Sequence, residues 1–305
     1  MRDICDENFC ESADVSDVTV GIIGHGYIGQ AAEALFSGST HVRVYDKNKP
    51  GLGDLPSLVR DSQLILVCVP TPMEPSGECH TGIVESVIAD VNREIVSQGF
   101  DPRERIVVIK STVPPGFTGS MRSRYQKMRI VFSPEFLTEA NSVNDFKNAD
   151  RIIVGGDQED GNVVLRIFRH AWRDRKDEYY GVICEPVAAE LAKLFGNAFL
   201  ATKVTFANEM YQFCARLGTD YETVAILASM DKRVGSSHLK VPGPDGHLGY
   251  GGSCFVKDIN GLRHMFRQLS VNERLLTAVI ERNDELRPEK DWEKLAGRAV
   301  VHNDV

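Results

Sequence analysis

Apolar positions follow two rhythms along this chain. Through the first half, short apolar runs recur at 18–23, 42–45, 64–69, 106–109, 130–132 and 152–154. Runs of that length, rich in Val and Ile, predict buried strands, and the stretches 30–36 and 81–97 between them have the composition of helices. Such alternation predicts an α/β fold: an N-terminal, Rossmann-like, doubly wound and mostly parallel sheet. From Pro186 the rhythm changes. One helical pattern runs to Leu217 and closes at Gly218, with Leu191, Leu194, Phe195, Ala198 and Phe199 as an apolar stripe. A helix of that length spans about 48 Å, enough to link two domains or form a dimer interface. Further helices are predicted to about Ser229, from Asp258 or Ile259 to Leu269, and from Val271 to about Leu286, which makes a mainly α-helical central domain built on one long helix. The expected division is an acidic flexible arm at 1–16, a dinucleotide-type domain at 17–185, a helical domain at 186–288 and a tail at 289–305.

The candidate chemistry lies in the loops. Gly24-His25-Gly26-Tyr27-Ile28-Gly29 follows the first strand and opens a helix, the order a dinucleotide-binding turn requires. Gly24 allows the tight turn, Gly26 lets a pyrophosphate approach the backbone, and Gly29 lets helix and strand pack closely. The second strand ends at Asp46, about 20 residues on, where a carboxylate grips ribose hydroxyls; it favours NAD over NADP, although Lys47 beside it blurs the preference. Strands three and four end in Pro70-Thr71-Pro72 and Lys110-Ser111-Thr112-Val113-Pro114-Pro115-Gly116. Both loops should line the cofactor crevice at the carboxyl ends of the strands, with hydroxyls from Thr71 and Thr112, unless the prolines merely end strands.

After strand five, Pro134 reads as a first helical residue, which would put Glu135 and Glu139 on one face of a short helix. They suit acid/base work or, equally, a helix dipole. Lys193 and Asn197 share a face of the long helix and can donate to an oxyanion or move a proton, or simply be solvated. Finally, Gly249-Tyr250-Gly251-Gly252-Ser253-Cys254-Phe255-Val256-Lys257-Asp258 delivers a glycine-rich turn to one cysteine. Lys257 would favour its thiolate and Asp258 could position or deprotonate a water; the alternative is a structural cysteine.

Composition narrows the classes. The 305 residues are 42% hydrophobic and 26% charged, enough for a full core, and the net charge of −8 argues against binding nucleic acid. No apolar run reaches the length of a membrane span. Seven cysteines, at 5, 10, 68, 79, 184, 214 and 254, show no metal-ligand spacing, nor do the histidines; with no signal-peptide core, a reducing cytoplasm is expected.

Taken together, these motifs resemble the UDP-glucose 6-dehydrogenases and their nucleotide-sugar dehydrogenase relatives. The matching pieces run in the family's order over 18 to about 284: the glycine turn with Asp46, Val69-Pro70-Thr71-Pro72, the 110–116 loop, Pro134-Glu135-Phe136-Leu137-Thr138-Glu139, Asp150-Arg151-Ile152-Ile153-Val154-Gly155, Lys193 with Asn197, Asp231-Lys232-Arg233-Val234-Gly235, and the cysteine segment. The resemblance implies NAD as cofactor, held by Gly24, Gly26, Tyr27, Ile28, Gly29, Asp46, Lys47, Pro70, Thr71, Thr112, Glu139 and Lys257. It implies a nucleotide-sugar substrate, UDP-glucose first, contacted by Glu135, Phe136, Leu137, Lys193, Asn197, Tyr250, Gly251 and, from a neighbouring subunit, Arg233. Catalysis would fall to Cys254, Lys193, Asn197, Asp258, Glu135 and Thr112, with two hydride transfers, a thiohemiacetal and a thioester, and no metal. A homodimer through 186–217 is also implied.

Two departures stand out. Family members continue into a third α/β domain that holds the nucleotide, whereas this sequence stops at Val305, with 297–301 as only its first strand. Cys79-His80-Thr81 stands where an acidic residue is expected. The alternatives are a truncated NAD-binding subunit completed by a partner chain and a β-hydroxyacid dehydrogenase, which would have no need of Cys254.

Overall fold

The structure is a computed structural model that describes residues 15, 17–175 and 179–301. The expected arm at 1–16 lies almost wholly outside the described residues. By packing, the chain forms two units, Met1–Thr71 with Thr81–Lys193, and Pro72–His80 with Leu194–Val305.

The first unit is built on seven strands: β1 (Thr19–Ile23), β2 (His41–Tyr45), β3 (Leu64–Val67), β4 (Ile106–Ile109), β5 (Arg129–Phe132), β6 (Arg151–Gly155) and β7 (Tyr180–Cys184). Their order is β2-β1-β3-β4-β5-β6-β7, parallel throughout except where β6 meets β5 at Phe132 and Gly155. Helices α1 (Tyr27–Phe36), α2 (Leu55–Asp61), α3 (Gly82–Ser97), α4 (Phe117–Arg124), α5 (Ser142–Lys147) and α6 (Gln158–Ala171) connect them. The central strands read as continuous apolar runs because both faces are covered. Alternate residues feed opposite cores: Val20, Ile22, Leu64, Leu66 and Val108 on one side, Ile23, Ile65, Val67, Val107 and Ile109 on the other. Each such side chain, removed from water, contributes roughly 1.5–3 kcal/mol. β1 is the first strand laid down and is flanked by β2 and β3, so the chain reverses direction across the sheet there; that opens a crevice at the carboxyl ends of β1 and β3.

α7 (Pro186–Leu217) leads into the second unit, which adds α8 (Tyr221–Ser229), α9 (Cys254–Gln268) and α10 (Arg274–Leu286). Leu194, Ala198 and Ala201 of α7 pack with Val256, Ile259 and Leu262 of α9 and Leu276, Val279 and Ile280 of α10. The expected stripe on α7 therefore divides into two. Leu194 and Ala198 are buried, while Phe195 and Phe199, one residue and about 100° further round, face outward. With Phe206, Phe213 and Leu217 they leave an apolar row more than half exposed, and the rings of Phe195 and Phe199 stack at 6.3 Å.

Four local expectations are corrected. No helix begins at Pro134: residues 133–138 carry no regular structure, and Glu139–Asn141 form a single 3-10 turn. The carbonyls of Pro134 and Glu135, which a helix would use internally, accept instead from Lys110 and Lys193. α9 begins at Cys254 rather than Asp258, because the positive φ of Gly249 and Gly252 turns the chain before the sulfur. Residues 297–301 form no strand; Gly297, at φ 74°, bends the chain back onto Val300 and leaves single bridges only. β7 is a seventh strand where the sequence pattern predicts none, its apolar run being broken by a glycine within Tyr180-Gly181-Val182. A Cβ there would come within 3.2 Å of both methyl carbons of Leu165 on α6, so a larger residue would need Leu165 to give way.

Candidate active site

At the carboxyl end of β1, the glycine turn is shaped by close approaches. Gly24 has φ 92° and its amide bonds the Tyr45 carbonyl at 2.9 Å; a Cβ on Gly29 would fall 2.0 Å from the Gly24 carbonyl oxygen. Gly26 is different. A Cβ there would meet nothing within 4 Å, so no packing in the protein requires glycine at this exposed start of α1. What a glycine leaves room for is a ligand approaching the backbone, and the first amides of α1 receive no side-chain cap. Asp46 accepts from the His25 amide at 2.8 Å and from the Asn48 amide at 2.9 Å, which fixes its carboxylate beside the turn with lone pairs remaining for hydroxyls. Tyr27 and Ile28 are half-buried in the first turn of α1, and Lys47 is exposed. These features fit a dinucleotide.

The loops after β3 and β4 are tied together. Ser111 donates to the Val69 carbonyl at 2.6 Å, which seats exposed Pro70 and buried Thr71 next to buried Thr112. Behind Thr112, the carboxylate of Glu190 on α7 accepts from the amides of Gly116 and Thr118 at 2.6 and 2.8 Å and so caps α4. Burial pushes this carboxyl above its usual range against those same hydrogen bonds.

One helical turn along α7, Lys193 donates to the Glu135 carbonyl at 2.7 Å and pairs with the Glu135 carboxylate at 3.1 Å, both side chains almost fully buried. Its ammonium also lies 5.6 Å from the Phe136 ring, over which Arg151 stacks at 4.2 Å. Leu137 packs on the sheet, and Glu139 is exposed. The structure thus separates the two glutamates that sequence spacing put on one face.

In the second unit, Cys254 is the first residue of α9, so the positive end of that helix faces its sulfur. Asp258, one turn on and buried, accepts from Asn197 at 2.5 Å through one oxygen and from Lys257 at 2.5 Å through the other. Burial opposes the charge on Lys257, but Asp258, Cys79 and Cys254 outweigh it and raise its pKa, so the ammonium persists through the neutral range. Asn197, Asp258, Lys257 and the Cys254 end of α9 form one connected polar cluster, with a nucleophile, a carboxylate and two donors. Tyr250 is buried, and burial raises its hydroxyl pKa further. A Cβ on Gly251 would lie 2.5 Å from the Arg287 guanidinium, so a side chain there would displace the Arg287–Asp291 pair. Arg233 is exposed and gripped by Asp231.

Sequence reasoning missed the residues that hold this loop. Asn283 bonds both the amide and the carbonyl of Tyr250, at 2.7 and 3.0 Å; Asn208 accepts from Gly249, and Asp291 accepts from Gly252 and Arg287. The i,i+4 spacing of Asn283, Arg287 and Asp291 was the available signal. Lys110 and Glu190 were likewise missed as anchors. Among the described residues, no three His, Cys, Asp or Glu side chains gather as metal ligands would, and no helix is long and apolar enough to cross a membrane.

Comparison with known proteins supplies the context. Residues 50–172 match the sequence profile of the UDP-glucose/GDP-mannose dehydrogenase family, NAD binding domain, and residues 187–285 match that of the family's central domain. The UDP-glucose 6-dehydrogenase of Rickettsia bellii is 34% identical over 78% of this chain and 52% of its own length. That of Rhizobium meliloti is 32% identical over 92% of this chain and 70% of its own. The chain spans about half the length of the Rickettsia relatives and of the Bacillus subtilis UDP-glucose 6-dehydrogenase TuaD that it matches. Among solved structures, a UDP-glucose dehydrogenase from Pyrobaculum islandicum aligns with a TM-score of 0.78 at 28% identity, over 93% of this chain and 72% of that one. With an NAD binding domain in its first unit, the chain belongs to the UDP-glucose/GDP-mannose dehydrogenase family.

Proposed function

We propose that this chain oxidises the C6 alcohol of a nucleotide sugar, UDP-glucose foremost, to the carboxylate through a sulfur-bound intermediate on Cys254. The observation that carries the reading is the seating of Cys254 at the positive end of α9, one turn from an Asp258 carboxylate that Asn197 and Lys257 both bond. Overall, one alcohol, one water and two oxidised cofactors become a carboxylate, two reduced cofactors and three protons. NAD, when bound, accepts the two hydrides. Gly24, Gly26, Tyr27, Ile28 and Gly29 would hold its phosphates, Asp46 beside Lys47 its ribose, and Pro70, Thr71, Thr112, Glu139 and Lys257 the remainder.

The chain's own residues divide the rest. The Cys254 thiolate adds to the aldehyde carbon left by the first oxidation, and the oxygen that gains charge is met by donors from Lys193 and Asn197. A thiolate suits this step because a free aldehyde would hydrate or escape, whereas a sulfur adduct stays in place for the second oxidation. Water aligned by Glu135 and Asp258 then attacks the thioester; its proton passes to Asp258, and the sulfur leaves as thiolate beside the Lys257 charge. Phe136, Leu137, Tyr250 and Gly251 shape the sugar pocket, with Arg233 contributed by a second subunit. The reading keeps the protein in a reducing cytoplasm, where Cys254 remains a thiol.

The test is NADH formed per UDP-glucose consumed by the purified chain, expected at two. NAD binding without NADH from UDP-glucose or related nucleotide sugars would replace this reading with an NAD-binding subunit that a partner completes. A homodimer through α7 also belongs to the proposal, because its outward row of Phe195, Phe199, Phe206, Phe213 and Leu217 is costly to leave in water. Phe195→Glu with Phe199→Glu is expected to halve the mass measured by light scattering, and an unchanged mass would remove α7 from the interface.

A further inference from the structure

Lys110 has no part in the reaction above, yet it is among the most buried ionisable groups of the first unit. It follows β4 and is 2% exposed. Its ammonium lies 3.2 Å from the Pro134 carbonyl and 3.4 Å from the Ser133 hydroxyl, with the rings of Phe146 and Phe168 at 5.3 and 5.7 Å. Beside it is a cavity of about 380 Å³, lined by Lys110, Ser133, Glu135, Phe146, Phe168 and Trp172 among others. A loop without regular structure next to such a space has room to shift. Glu135 depends on that loop: Lys193 holds one carboxylate oxygen, and the other has no hydrogen-bond partner among the described residues.

We propose that Lys110 is a positioning residue whose ammonium pins the 133–134 backbone and thereby sets the Glu135 carboxylate on Lys193. The proposal rests on the assignment of Glu135 to the alignment of water in the proposed reaction. Two lysines approach the loop from different elements, Lys110 gripping the residues just before Glu135 and Lys193 gripping Glu135 itself. Stability alone gives no reason for a cation here, since a methionine would fill similar volume without the cost of desolvating charge. That cost is visible in the titration: burial pulls the Lys110 pKa down to about 8, against the upward influence of Glu135 and Cys68 and with a further downward push from Lys193. Asp150 and Arg151 are the other charged groups on the adjoining cavity wall besides Asp145.

The pH dependence follows in sign. Below about pH 8 the ammonium is charged and holds the carbonyl; as pH rises through that value the grip weakens and activity falls. The experiment compares wild type, Lys110→Met and Glu135→Gln for thermal midpoint, NAD affinity by calorimetry, and kcat between pH 6 and 9.5. Lys110→Met is expected to keep or raise the midpoint at pH 7, leave NAD affinity within about twofold, lower kcat on the order of 10- to 100-fold, and lose the alkaline limb near pH 8. Wild-type kcat at pH 7 in Lys110→Met, while Glu135→Gln is impaired, overturns the positioning role and spares the assignment of Glu135. Full activity in Glu135→Gln instead overturns that assignment, and the proposal with it. A wild-type profile with no alkaline limb overturns it even if Lys110→Met does not fold.

Discussion

Replacing Cys254 by serine is expected to leave a folded, NAD-binding protein that no longer yields two NADH per sugar. The change is nearly isosteric at a half-buried first position of α9, where serine is well tolerated, so the fold has little reason to respond. The chemistry does. A serine hydroxyl stays protonated at neutral pH, and neither the positive helix end nor the Lys257 ammonium supplies a base to remove that proton. Carboxylate formation should fall at least on the order of 10³-fold, with NADH stopping at no more than one per active site. Quenched-flow measurement of NADH against enzyme concentration decides the matter, and a variant that still produces two NADH per sugar at the wild-type rate would eliminate the sulfur-bound intermediate.

Lys193→Ala is expected to cost both stability and turnover. The Lys193 and Glu135 side chains are 5% and 4% exposed, and removing one partner leaves a buried carboxylate uncompensated, a loss of about 3–5 kcal/mol. Losing an oxyanion donor should also reduce kcat on the order of 10²- to 10³-fold. The two effects separate in Lys193→Met combined with Glu135→Gln, which removes both charges: urea denaturation should show most of the stability restored while kcat stays low. Recovery of turnover along with stability would mean that Lys193 acts only as a structural counter-ion.

Much of this was legible because the features are local and periodic. The strands of the sheet were readable as apolar runs because they are covered on both faces, and α7 because thirty-two residues at helical spacing leave few other readings. Legibility failed where a distant group overrode local preference. Pro134 has the chemistry of a helix start, but Lys110 and Lys193, 24 and 58 residues away in sequence, claim the carbonyls that a helix would need. The polar residues that seat the glycine loop were hard to read for the same reason: Asn208 and Asn283 come from α7 and α10, and the i,i+4 spacing of Asn283, Arg287 and Asp291 does not itself point to Tyr250. The site residues themselves came from motif order, while their anchors are visible only in three dimensions.

Glu190, Lys193 and Asn197 sit on one uninterrupted helix, the first capping α4, the second gripping the Glu135 loop and the third bonding Asp258. Inserting or deleting a single residue between 190 and 197 would turn everything downstream by about 100° and shift it by about 1.5 Å. No side-chain change could repair all three attachments at once. In descendants of this sequence, therefore, length should vary in exposed connecting loops and hardly at all across these eight positions, whatever happens to the identities between them.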